Sequence, residues 1–172
     1  MNKGSIAIVG VVLVAILGVA LVYFFMMRST SQTTIYVSPQ TLSRAIGQSF
    51  TVNVSISNIT DLYGWQVKLV WNATILNITG IADIRESLFL KTGGSTLFVP
   101  KLNTTAGYVL LACTLYNTTS GVSGDGTLAT IQFNVRGNGR CSLDLYDTML
   151  IDSSEQQITH TVADGDFRTS VS

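Results

Sequence analysis

From residue 34 onward, apolar side chains return at every second position, a period that fits an extended chain with one face buried and fits a helix poorly. In FTVNVSIS, residues 50–57, Phe50, Val52, Val54 and Ile56 point one way and Thr51, Asn53, Ser55 and Ser57 the other. WQVKLVW sets Trp65, Val67, Leu69 and Trp71 against Gln66, Lys68 and Val70, and LATIQFNV sets Ala129, Ile131, Phe133 and Val135 against Thr130, Gln132 and Asn134. Further strands fit 34–38, 75–81, 96–102, 107–116, 140–146 and 158–167, which makes nine. Turn chemistry separates them in KTGGST, NTTAG, SGVSGDG and RGNG. Many short strands with polar outer faces predict an all-β sandwich. The one helical candidate in this region is a short stretch near 83–90.

The N-terminus obeys a different rule. Residues 5–27, SIAIVGVVLVAILGVALVYFFMM, carry no charge. As a helix this run is roughly 35 Å long, enough for a hydrocarbon core of about 30 Å. The apolar region of a signal peptide is shorter and ends in small residues, whereas this one ends in YFFMMRS. A helix apolar on every side also needs more protein around it than this chain supplies. The reading is an uncleaved transmembrane anchor, with Lys3 inside, Arg28 outside and Tyr23 and Phe24 at the outer interface. Two alternatives stay open. One is a removed signal peptide. The other starts from NKGSIAIVG, which resembles the leader that archaeal prepilin peptidases cut after the glycine; a helix beginning at Ser5 would then suit a filament core. The expected layout is a cytoplasmic stub at 1–4, the anchor at 5–27, a linker at 28–34 and the sandwich at 35–172, in a single-pass protein of the cell membrane with the C-terminal domain extracellular.

An exterior domain gives meaning to two further features. Six of nine asparagines, Asn53, Asn58, Asn72, Asn77, Asn103 and Asn117, begin Asn-x-Ser/Thr triplets. With 38 Ser and Thr in 172 residues, about two are expected by chance, so the excess favours N-glycosylation of several. Cys113 and Cys141 each sit on the apolar side of a strand pattern. Outside the cell they are expected to form a disulfide closing a loop of about 28 residues and contributing roughly 3–4 kcal/mol; the alternative is two buried thiols.

Charge and motifs narrow the function. Ten basic and ten acidic residues, 12% of the chain, leave no basic patch, so nucleic acid is not an expected partner. The single histidine, His160, lies in a strand pattern with no nucleophile and carboxylate grouped beside it in sequence, so no enzyme activity is expected. SGDGT and ADGDF lack the acidic ladder of a calcium loop and read as turns, and no glycine-rich loop precedes a helix to cradle a phosphate; no metal or cofactor is expected.

The ordered strands carry a resemblance. GQSFTVNVSISNITDLYGWQVKLVWNATILN is similar to the opening of cohesin domains, and GDGTLATIQFNV, LDLYDTMLID and DGDF follow in the cohesin order and spacing. The resemblance spans about 35–168 and is nearest to cohesin-type domains of archaeal surface proteins, in a superfamily that includes carbohydrate-binding modules. It implies a nine-stranded jelly-roll sandwich without catalysis. Cohesins hold dockerin modules on one flat sheet face, and the calcium belongs to the dockerin. Here that face would present Gln66, Lys68 and Val70 from one strand and Tyr108, Leu110 and Tyr116 from another. The expected function is non-catalytic binding of a surface protein, dockerin-like or other. The alternatives are polysaccharide binding, for which Tyr63, Tyr108 and Tyr116 are the available platforms, and a pilin-like filament subunit.

Overall fold

The computed structural model describes residues 32–170. The expected anchor at 5–27, the stub before it and residues 28–31 of the linker lie outside the described residues. Among those described, no helix is long and apolar enough to cross a membrane.

Among the described residues eleven strands form, where nine were expected: β1 (Thr34–Ser38), β2 (Thr41–Arg44), β3 (Ser49–Val70), β4 (Leu76–Asn77), β5 (Ile84–Glu86), β6 (Ser95–Asn103), β7 (Tyr108–Tyr116), β8 (Val122–Val135), β9 (Arg140–Asp152), β10 (Thr161–Ala163) and β11 (Gly165–Thr169). Around 83–90 the chain makes β5 and then a single helical turn, α1 (Leu88–Lys91). The strand expected at 75–81 shrinks to β4. The one expected at 158–167 divides at Asp164, whose carboxylate leaves the ladder pattern to accept the Leu145 N–H at 2.8 Å.

The two strands expected at 50–57 and 65–71 are one strand of 22 residues. Its first half lies between β1 and β8, and β4 and β5 also pair with β8. Its second half lies between β7 and β9, with β6 outside β7. β3 therefore belongs to both layers of the sandwich. The residues facing inward are Phe50, Val52, Val54 and Ile56 in the first half and Trp65, Val67 and Leu69 in the second, all buried. Even positions give way to odd ones, so the side-chain alternation must slip. The slip occurs at register shifts around Ser55, Ile59 and Leu62, where Asn58 and Asp61 take left-handed φ values of 54° and 59°. A short polar side chain tolerates that geometry best.

Asp61 also locks the bend. Its Oδ1 accepts the Gly121 N–H at 2.7 Å. Its Oδ2 accepts the Ser153 hydroxyl at 2.6 Å and the Ser153 N–H at 3.2 Å. These bonds, the Ser153 hydroxyl first, hold the carboxyl below its ordinary value of 3.8. A lowered folded pKa means that the unfolded chain binds more protons near that value. The contribution of Asp61 to stability is thus fully present above 3.8 and lost as pH falls through the lower folded value. An Asp61→Asn variant is expected to be less stable at neutral pH and to lose less on acidification toward about pH 3. Parallel stability–pH curves for variant and parent would contradict this assignment.

The core is one contiguous cluster. At its centre Phe50 stacks on Phe167 with centroids 5.0 Å apart and on Phe133 at 5.7 Å, and Trp71 meets Phe133 edge-on at 5.2 Å. Both tryptophans are buried, which removes them as sugar platforms.

Candidate functional site: an outward sheet face

The layer β6–β7–β3–β9 has one face in the core and one toward solvent. Register fixes what the outer face presents. Gln66, Lys68 and Val70 on β3 stand beside Ala112, Leu110 and Tyr108 on β7. On their other side they stand beside Met149, Tyr146 and Asp144 of β9. Beyond β7, Lys101, Val99 and Leu97 of β6 pair with Leu110, Ala112 and Thr114. All six residues expected on a partner face, Gln66, Lys68, Val70, Tyr108, Leu110 and Tyr116, lie on this one surface, and their strand neighbours Val67, Val109 and Leu111 are buried. The pattern of strand 107–116, apolar on both sides, resolves with its odd positions inward.

Sequence reasoning missed the flanks. Leu97 is 58% exposed, Val99 40%, Tyr146 54% and Met149 43%, and with Tyr116 at 46% they account for five of the nine large hydrophobic side chains that stand exposed among the described residues. Alternation says which residues share a side of a strand but not which strands lie next to each other. On β9 there was a second obstacle. The register shifts between the pairs Lys68–Tyr146 and Gln66–Met149, and Asp147 takes a φ of 48°. This bulge puts Tyr146 and Asp147, consecutive residues, on the exposed side.

Lys68 stands at the centre of the face. Its ammonium lies 4.9 Å from the centroid of the Tyr108 ring and 3.8 Å from the Asp147 carboxylate, and Gln66 Nε2 donates to the Asp147 carbonyl at 3.4 Å. Lysine here is held between a π-face and an acid, with donors left over for a partner's carbonyl groups. The ends of the face are set by tight turns. At Gly107, φ is 71° and an added Cβ would strike the Trp71 carbonyl oxygen, so only glycine lets the β6–β7 turn close against β3. β6 is the open edge of the layer, and Pro100 interrupts its row of N–H donors. The surface available to a partner is therefore the side-chain face rather than the strand edge.

The remaining candidates resolve individually. Asp125 accepts the Asn58 N–H at 2.6 Å, and Asp166 pairs with Arg140 at 2.7 Å, so the carboxylates of both Asp-Gly stretches hold the chain's own turns. Among the described residues no group of three His, Cys, Asp or Glu side chains could hold a metal ion. His160 contacts the Thr148 hydroxyl and the Ile158 carbonyl, each at 2.9 Å. A polar cleft of about 520 Å³ between Thr74, Asn77, Thr104, Thr105 and Arg136 contains no nucleophile paired with a base. Of the six asparagines in triplets, Asn53 and Asn58 lie within β3, Asn77 and Asn103 are the last residues of β4 and β6, and Asn72 and Asn117 lie just past β3 and β7.

The expected disulfide is not formed. Cys113 and Cys141 are both free and buried. Cys113 pairs with Trp65 across the β3–β7 ladder, whereas Cys141 Sγ accepts the Asn72 N–H at 3.1 Å. Seven residues of extended chain separate those two neighbours, roughly 23 Å, against a limit of about 7 Å between bridged Cα atoms. Burial first, and then the Glu86 carboxylate beside it, pushes the Cys113 thiol up to about 12. Burial likewise raises that of Cys141. Reducing agent is expected to leave the unfolding midpoint unchanged, with both thiols titrating only after denaturation. A midpoint lowered by reductant would overturn this correction.

A family model described as Cohesin domain matches residues 35–168. No curated protein matches the chain. Among solved structures, a non-cellulosomal cohesin from the hyperthermophilic archaeon Archaeoglobus fulgidus is similar at 20% identity and TM-score 0.68, covering 82% of this chain and 93% of that one. The sixth cohesin of scaffoldin B from Acetivibrio cellulolyticus, in complex with a mutant Cel5 dockerin, gives 17% identity and TM-score 0.70 over 81% of this chain and all (100%) of that one. The Coh-OlpA–Doc918 complex from Clostridium thermocellum, described as a type I cohesin–dockerin complex, gives 13% identity and TM-score 0.68 with 81% and 100% covered. At these identities the likeness establishes the fold.

Proposed function

The chain belongs to the cohesin family, and from that premise we propose that it is a membrane-anchored, extracellular, non-catalytic module that docks a protein partner of the dockerin kind. The observation that carries the proposal is the gathering of Leu97, Val99, Tyr116, Tyr146 and Met149 with Lys68 on a single sheet face. Exposed apolar and aromatic side chains collected in one patch are the composition of a protein interface. Two related cohesins were solved bound to dockerins, which favours that class of partner. The uncharged run at 5–27 supports the anchor and, with Lys3 before it, a domain displayed outside.

The test is calorimetric titration of the full chain, in detergent, with calcium-loaded dockerin modules from the same genome. Saturable one-to-one binding that disappears on calcium chelation is expected. Failure with every dockerin, together with saturable binding of a soluble polysaccharide, would replace this reading by the carbohydrate-binding one, for which Tyr116 and Tyr146 are the exposed rings.

A further inference from the structure

The six Asn-x-Ser/Thr triplets look alike in sequence and differ in the fold by their middle residue. In the triplets of Asn53, Asn58 and Asn77 these are Val54, Ile59 and Ile78, all buried in the core. In the triplets of Asn72, Asn103 and Asn117 they are Ala73, Thr104 and Thr118, which are half-buried or exposed. A transferase must bind the whole tripeptide in its own site, so a triplet whose centre is anchored in the core can be presented only by pulling that side chain out of the core.

The asparagines themselves separate further at Asn53 and Asn77, the two of the six that are half-buried. Asn53 Oδ1 accepts from the Thr130 hydroxyl at 3.2 Å, and its triplet partner Ser55 is buried against Thr127. Asn77 is half-buried and paired with Asn134 of β8. Asn58 is itself exposed and left-handed, in the bend of β3, and what sets it apart is its neighbour Ile59, buried and paired to Gly124. Asn72 and Asn103 are exposed and stand where turns begin. There the carbonyl half of the side chain accepts backbone N–H groups, Thr74 at 2.9 Å and Ala106 at 2.9 Å, and the amide half is left for chemistry. Asn117 is exposed in the left-handed conformation, with φ 58°, just past the end of β7.

We propose that Asn72, Asn103 and Asn117 are N-glycan attachment sites, that Asn53, Asn58 and Asn77 stay bare, and that the three glycans fence the docking face at its two ends. Asn103 pairs with Tyr108 at one end of the β6–β7 ribbon, and Asn72 lies two residues past Val70, which pairs with Tyr108 on the other side. Asn117 follows Tyr116 at the opposite end. Asn103 is thus at the rim of the face, beside Tyr108, and the other two lie past the ends of their strands. A partner would then approach between two sugar-bearing rims, and the bare centre would stay open to it. The reaction is transfer of a sugar from a lipid phosphate. The asparagine amide nitrogen attacks the anomeric carbon, the C–N bond forms as the C–O bond to phosphate breaks, the phosphate departs on the lipid, and the amide proton passes to a base of the transferase.

The inference rests on the exterior location proposed above and has its own readout. Glycopeptide mass spectrometry of the full chain from its native membrane is expected to find sugar on Asn72, Asn103 and Asn117, and unmodified Asn53, Asn58 and Asn77. Equal occupancy of the triplets with buried and with accessible middle residues would overturn it, as would six bare asparagines. If unglycosylated chain still binds a dockerin through its face, the docking proposal survives that failure; occupied rims on a chain that binds no dockerin would be the reverse.

Discussion

A double substitution of Leu97→Asp and Met149→Asp is expected to weaken partner binding by about 100-fold or more, roughly 2.8 kcal/mol. The two side chains sit on β6 and β9, the outer strands of the face, so the change tests its full width. A carboxylate pressed under a partner loses its water without gaining a counter-charge. Both positions are open to solvent in the free chain, so stability should change by no more than about 0.5 kcal/mol per site. The control is Thr51→Asp on the first half of β3, where Thr51 and its neighbour Gln132 face solvent from the opposite layer. Binding unchanged in the double variant, or lost equally in the control, would remove the β6–β7–β3–β9 face as the docking surface.

Phe133→Ala is expected to cost about 3–5 kcal/mol of folding free energy. For a domain of this size that lowers the thermal midpoint by about 10–15 °C. Phe133 is wholly buried on β8, and its ring meets Phe50 of β3 and Trp71 just beyond it. Phe50 in turn stacks on Phe167 of β11, so one ring cluster ties together three strands and the segment after β3. Removing the middle ring leaves a cavity that rigid strand backbones cannot collapse into. Phe133→Leu should recover most of the loss. A denaturant titration giving less than about 1 kcal/mol for the alanine variant would mean that the cluster repacks.

The sequence was most legible where period two ran unbroken. Phe50 to Ile56, Trp65 to Leu69 and Ala129 to Val135 face the core as the alternation requires. The same logic placed Gln66, Lys68 and Val70 outside, and it was the cohesin resemblance that set them on one face with Tyr108 and Leu110, beside which they stand. Alternation failed at residues whose role depends on a partner distant in the chain. Asn58 and Asp61 have the composition of a turn and do adopt left-handed geometry, yet the ladder with β8 and β9 continues past them, so two expected strands are one. Leu97 and Val99 were visible as strand residues, but only register with β7 shows that they extend the face. Tyr146 and Asp147 break alternation because of a bulge that no short motif announces. The cysteines matched in burial and differed in position along β3, which spacing in sequence does not encode.

The continuity of β3 has a consequence for how the domain comes apart. A sandwich whose layers are joined only by loops can shed one layer while the other persists. Here the 22-residue strand is a central member of both, so melting either layer strips a ladder from its neighbour. The domain should open as one cooperative unit, with its most slowly exchanging amides distributed over both layers along this strand.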